Sequence, residues 1–110
     1  MNMVDIVTLK VTSDDLWLTK RIKEVGESIY AHPNYLALEG DVEFLEEWMK
    51  SIGRNVDDRL IELIKLMEDI KDRGQMHYIV ISKDGQILNG HKRTAVMAFL
   101  GYKKIKAKIQ

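Results

Sequence analysis

The spacing of hydrophobic and polar positions changes several times along the chain, and each change marks an element. Residues Val4 to Val11, VDIVTLKV, alternate roughly and are rich in β-branched side chains, which predicts a strand. Ser13-Asp14-Asp15 supplies capping oxygens for a mainly helical stretch reaching about Tyr30. His32-Pro33-Asn34 breaks that stretch, because proline pushes the residue before it out of helical geometry. "YLALEGD" reads as a connection, and Asp41 as the cap of a short helix, DVEFLEEWMKSI, that ends at Gly53. Asn55 opens the clearest helix, in which Leu60, Ile61, Ile64, Met67 and either Leu63 or Ile70 recur at helical spacing until Gly74. "MHYIVIS", the tight-turn signal "KDG" and "QIL" then predict a hairpin. Gly90 and Gly101 bracket a last helix. After it, Ile105, Ala107 and Ile109 alternate with Lys104, Lys106 and Lys108, a strand with one wet face. Strands and helices mixed in this order predict one α+β or α/β domain.

Composition narrows the class. The 110 residues suit a single domain with one modest core, and no repeat or long linker divides them. With no cysteine, a disulfide framework, a thiolate zinc site and a thiol nucleophile are all excluded. His32, His77 and His91 lack the close spacing of a zinc site, so no metal site is expected within the protein itself. No apolar run approaches the ~20 residues that span a bilayer, and MNMVDIVTLK has no signal-peptide layout. A cytoplasmic protein with no membrane partner is the expectation.

The formal charge is zero, yet residues 75–110 carry seven cations against Asp84 alone, leaving a net −6 on residues 1–74. Such asymmetry fits an anionic partner for the basic half, and equally two halves that complement each other in the fold. The cations gather at Gly90-His91-Lys92-Arg93, where the last helix begins. A helix start offers free N–H groups and a partial positive charge to phosphate or carboxylate. Glycine would let an anion approach the backbone, and arginine holds two oxygens at once. The i+3 and i+4 neighbours of Lys92 and Arg93 are apolar, so neither cation has an acid on its own helix. Cations here oppose the helix dipole, which is the arrangement of a binding site rather than of a stability device. The alternative is that they bridge to carboxylates from the acidic half. His91 is open to three roles: ligand contact, proton carrier or cap hydrogen bond.

The segment "GQMHYIVISKDGQILNGHKRTAVMAFLGYKKIKAKI" resembles the core of the ParB/sulfiredoxin-like superfamily, also known as ParB-like nuclease domains. Gly74 matches the glycine closing that family's first core helix, and Ile79, Val80 and Ile81 match its strand. Gly90 and Arg93 match its Gly-x-x-Arg helix start, Leu100-Gly101 its helix end, and Ile105 to Ile109 its final strand. The helix Asp57 to Arg73 extends the likeness over residues 57–110, and the helical region 13–53 is less familiar. The resemblance implies a single α+β domain, a small mixed sheet packed with helices, and a mononucleotide pocket. Relatives hold CTP, ATP or ADP phosphates at the Gly-x-x-Arg helix. Carried over, the site is Asn89, Gly90, His91, Lys92, Arg93 and Thr94, with Gln75 and His77 at the rim. ATP/ADP or CTP with Mg²⁺ would be the ligand, for phosphoryl transfer or nucleotide hydrolysis.

Departures from the family matter too. His91 stands where sulfiredoxins carry their essential cysteine, so sulfinic-acid reduction is excluded. His91 and Lys92 replace Glu-Arg of the partition-protein motif. The family's strand proline is Tyr78 here, and its glutamine is His77. The chain ends after the last strand, so no operator-binding domain is expected to follow. No spacing selects a catalytic carboxylate among Glu39, Asp41 and Glu43. Two other readings stand. Lys103, Lys104, Lys106 and Lys108 offer a phosphate-tracking stripe for a nucleic-acid or nuclease module, or else the solvated face of an edge strand. Trp17, Phe44 and Trp48 offer a partner surface for an interaction domain without ligand, or else core.

Overall fold

The computed structural model describes residues 2–110. Its four strands are β1 (Asn2–Asp5), β2 (Ile79–Ile81), β3 (Ile87–Asn89) and β4 (Lys104–Ile109). They form one mixed sheet in the order β1-β4-β2-β3, in which β4 pairs antiparallel with β1 and parallel with β2. Five helices accompany the sheet: α1 (Leu16–Val25), α2 (Pro33–Leu38), α3 (Glu43–Ser51), α4 (Val56–Arg73) and α5 (His91–Phe99). The architecture is therefore a small α+β domain with a mixed sheet. No helix among the described residues is long and apolar enough to cross a membrane.

The centre of the molecule is α5. Thr94, Ala95, Val96, Met97 and Ala98 are all buried, because α5 packs on β2 with one side and on α2 and α4 with others. A helix segment enclosed on every side must be apolar all round, as Ala95 to Phe99 are. Ile79, Ile81, Ile87, Ile105 and Ala107 form the sheet's inner face against this helix layer, while Lys104 and Lys108 point outward. Asn55 caps α4, its Oδ1 accepting from the amides of Asp57 (2.7 Å) and Asp58 (3.3 Å). Gly74 ends α4 at φ 75°.

Several local expectations give way to tertiary demands. The strand expected over Val4–Val11 stops at Asp5 and gives a short 3-10 turn, Ile6–Thr8. Ile6, Leu9 and Val11 all reach the core while Val7 is 74% exposed, a spacing that no straight strand provides. The first helix ends at Val25 rather than near Tyr30, because Gly26 adopts φ 93° and a separate turn, Ile29–Ala31, follows. Pro33 does stop the preceding segment, but it also starts α2. It occupies the first turn, where its missing N–H costs nothing, and His32 caps the helix. The stretch read as a connection is thus largely helix. At α3 the cap position is Val42 rather than Asp41, with no side-chain cap bond. On α4 the buried stripe is Arg59, Leu63 and Ile70, whereas Ile61 and Ile64 are 49% and 44% exposed.

The final strand is not an edge. β4 lies inside the sheet with a partner on each side, so the lysines do not guard an open edge. Trp48 is buried, and Trp17 packs against the core. Phe44 lies under the Arg21 guanidinium, 3.8 Å from the ring centroid. Trp17 and Phe44, both half-buried, line one shallow groove with Arg21, whereas Trp48 belongs to the core.

Candidate functional site

A cavity of about 1030 Å³ opens at the start of α5. Asn89, Gly90, His91, Lys92 and Arg93 line one wall; the Thr12–Asp15 loop, His32, Asn34, Trp48, Arg59 and Glu62 contribute to the others. Of the residues expected at the site, the structure brings the five consecutive ones together. Three lie elsewhere. Thr94 is fully buried and its hydroxyl donates to Gly90 C=O at 2.8 Å, a bond within the helix. Gln75 pairs with β4: Nε2 donates to Lys106 C=O (2.9 Å) and Oε1 accepts from Lys106 N–H (2.8 Å). Its carboxamide thus stands in for a strand residue where β2 has not yet begun. Gln75 Nε2 also donates to His77 C=O, and His77 is exposed away from the cavity. Gln75 and His77 lie just ahead of β2, and neither lines the cavity. Glu39, Asp41 and Glu43 do not line the cavity either.

Gly90 is required for a reason different from the one its sequence context suggested. Its φ is 112°, and a Cβ there would sit 2.4 Å from Ile79 Cγ2 and 3.3 Å from Ile79 Cα. Both conditions select glycine, and together they seat the helix start directly on β2. No side chain caps this end. The first intrahelical bond is Thr94 N–H to Gly90 C=O at 2.9 Å, so the amides of His91, Lys92 and Arg93 lie outside the helical ladder.

The cations at this mouth are only partly neutralised. Lys92 Nζ reaches Glu62 Oε1 at 3.6 Å, half-exposed at both ends, a contact worth between nothing and ~1 kcal/mol. The Arg93 Nε is buried without any hydrogen-bond partner. Burial pushes the Arg93 guanidinium below its ordinary pKa, with Asp69 opposing. Glu62 serves three cations at once: Arg54 (3.4 Å), Arg59 (3.1 Å) and Lys92. Partial burial alone would raise its carboxyl, but Lys92, Arg59 and Arg54 outweigh that and hold it below the usual range. One carboxylate shared by three cations leaves positive charge uncompensated.

His91 makes a tertiary hydrogen bond rather than a helix cap. Its Nε2 accepts from Thr12 N–H at 3.1 Å, which places the ring proton on Nδ1 and ties the Thr12–Asp15 loop to α5. Burial lowers its pKa, and the bond requires the neutral ring. His91 stacks on His32 with centroids 5.8 Å apart and planes 27° from parallel. His32 Nδ1 accepts from Asn34 N–H at 3.0 Å, and burial, then His91 and the arginines Arg59 and Arg21, drive its pKa well below normal.

The opposite wall was not foreseen. Asp15 caps α1, accepting from Leu18 N–H at 2.8 Å, and also accepts the Trp48 indole N–H at 3.0 Å. Arg59 is only 7% exposed, with its guanidinium 5.0 Å from the Trp48 ring centroid. Among the carboxylates at the cavity, Asp15 and Glu62 are committed to these partners, whereas Asp14 is exposed and makes no side-chain hydrogen bond or ion pair. No group of three or more His, Asp or Glu side chains among the described residues is placed to hold a metal ion. A signal for Arg59 did exist: it shares the stripe of Leu63 and Ile70, where a charged residue is out of place unless it has work in the interior. No protein-family model, curated protein or solved structure matches this chain.

Proposed function

We propose that this chain is a nucleotide-binding domain of the ParB/sulfiredoxin-like type, holding ligand phosphates at the start of α5. The observation that carries this reading is a cavity of about 1030 Å³ at an uncapped helix start, where Lys92 shares Glu62 with two arginines and Arg93 makes no ion pair among the described residues. Its volume lies just above the usual range for small-molecule sites, ~300–1,000 Å³. The free amides of His91, Lys92 and Arg93 suit phosphate oxygens, and Arg93 adds a fixed charge that burial makes more effective. ADP, ATP or CTP are the ligand candidates. A Mg²⁺ ion would arrive on the phosphates, with the exposed Asp14 at the cavity as an available protein oxygen donor.

Calorimetric titration with ATP, ADP, CTP and GTP, each with Mg²⁺, tests the reading. A saturable heat with at least one of the four is expected. Heats at the dilution blank for all four at millimolar ligand would remove it.

A further inference from the structure

The buried polar groups opposite α5 form a pattern that phosphate binding at the helix start does not use. Asn34 is fully buried; its Oδ1 accepts from Arg59 Nη1 at 3.3 Å, and its Nδ2 has no partner. His32 is 3% exposed; its Nδ1 is the acceptor for Asn34 N–H, so its proton sits on Nε2, which also has no partner. Arg59 directs Nε to Glu62 and Nη1 to Asn34, and Nη2 takes part in neither bond. All three residues line the same cavity, beside the Trp48 ring. The buried atoms left without a partner, Asn34 Nδ2 and His32 Nε2, are both donors, and Arg59 adds its guanidinium charge beside them. Buried donors are ordinarily paired, so two of them next to a guanidinium in one cavity wall ask for an acceptor from outside the chain.

We infer that Arg59, Asn34 and His32 form a second oxyanion subsite, which takes a carboxylate or phosphoryl group distinct from the one at the start of α5. A neutral hydroxyl would bring a donor of its own into a donor-only pocket, whereas an oxyanion supplies only lone pairs and meets a guanidinium whose sole carboxylate is shared. The subsites are adjacent. Arg59 Nε and Lys92 Nζ both reach Glu62 Oε1, at 3.1 and 3.6 Å, and His32 stacks on His91. A ligand with two anionic groups, or a nucleotide and an acidic second substrate, would therefore be held side by side. That pairing rests on the nucleotide reading above; the subsite itself rests on the buried donors.

The full chain, followed by ¹H–¹⁵N correlation spectra, provides the test. The Asn34 side-chain amide and the Arg59 Nε–H report the second subsite, and the backbone amides of His91 to Arg93 report the first. Titrated with inorganic phosphate and, separately, with acetate, the Asn34 and Arg59 signals should move along a saturating curve with at least one anion. Phosphate alone would specify a phosphoryl group and acetate alone a carboxylate. Arg93→Gln should weaken the helix-start response while leaving the Asn34 and Arg59 curve in place. Asn34→Asp, nearly isosteric, turns the unpartnered donor into an anion beside Arg59. It should raise the dissociation constant at Arg59 by about tenfold or more. If neither anion moves the Asn34 and Arg59 signals while phosphate moves those of His91 to Arg93, the second subsite is wrong and the nucleotide reading survives. The reverse pattern would leave the subsite standing and remove the nucleotide reading. An Arg59 curve unchanged by Asn34→Asp would also overturn the inference.

Discussion

Two groups of cations occupy the basic half of this chain, and they live in different physical worlds. Lys104, Lys106 and Lys108 project from the outer face of a strand in the middle of the sheet; Lys104 is already paired with Asp5 at 2.9 Å. Charges there are bathed in water and screened over roughly 10 Å. Lys92 and Arg93 instead stand in a concave wall, next to uncapped amides, with Arg93 partly desolvated. Sequence counts the five cations alike. Concavity and lost hydration make the second group the stronger candidate for a specific anion, because a charge stripped of water is worth more to the ligand that pairs with it.

The comparison breaks first at Gly90. Gly90→Ala combines a disfavoured φ with a Cβ inside van der Waals contact of Ile79. It should lower the unfolding free energy by on the order of 2–5 kcal/mol in urea titrations. A cost below about 1 kcal/mol would show that the helix start is not seated on β2 as described. Next in size, Arg93→Gln should reduce nucleotide affinity about tenfold to a hundredfold by calorimetry, with stability changed by less than about 1 kcal/mol. If Arg93→Gln unfolds the protein, the residue is structural and the contrast with the sheet lysines loses its meaning.

A third effect follows from the stacked histidines. Burial depresses both folded-state pKa values below the ordinary 6.5, so the unfolded chain takes up protons first as pH falls. Stability contributed by the neutral rings is therefore fully present above about pH 6.5 and declines below it. The slope is at most about 1.4 kcal/mol per pH unit for each ring, until the folded-state pKa is reached. Glu62 acts in a separate window: its depressed pKa contributes stability above the ordinary carboxylate pKa that is lost only at lower pH. Urea midpoints between pH 7.5 and 5 should fall, and His32→Gln should flatten the curve. The smallest effect belongs to the outer face. Lys106→Glu combined with Lys108→Glu should change stability by about 0.5 kcal/mol or less and leave nucleotide affinity within about twofold. A loss of salt-sensitive DNA binding in that double variant would shift the functional weight to the sheet.

What could be read in advance was local. The Asn55 cap, the KDG hairpin turn and the glycines around the last helix are decided by a few adjacent residues, and each lies where the pattern put it. The burial of the last helix is written in the unbroken apolar run Ala95 to Leu100, which has no polar face to turn to water. α2 was obscured because proline ends one helix and begins another by the same chemistry. Half of the candidate site was legible for the same local reason, as Asn89 to Arg93 are consecutive. The other half joins Asp15, Asn34, Trp48 and Arg59 across long sequence separations. Ser13-Asp14-Asp15 advertised only its capping role, and nothing nearby marks Asp15 as the acceptor for an indole contributed by α3. Gln75 misled because a carboxamide that completes a β-ladder has the same local appearance as one that greets a ligand.

The shared use of Asp15 has a mechanical consequence. Its carboxylate fastens the beginning of α1 and the flank of α3 to one another, so these two pieces of the rim travel as a unit. The Thr12 link to His91 tethers the same loop to α5. A guest entering the chamber thus meets a braced doorway rather than a hinged flap, and selection should be governed by shape and charge already in place before it arrives.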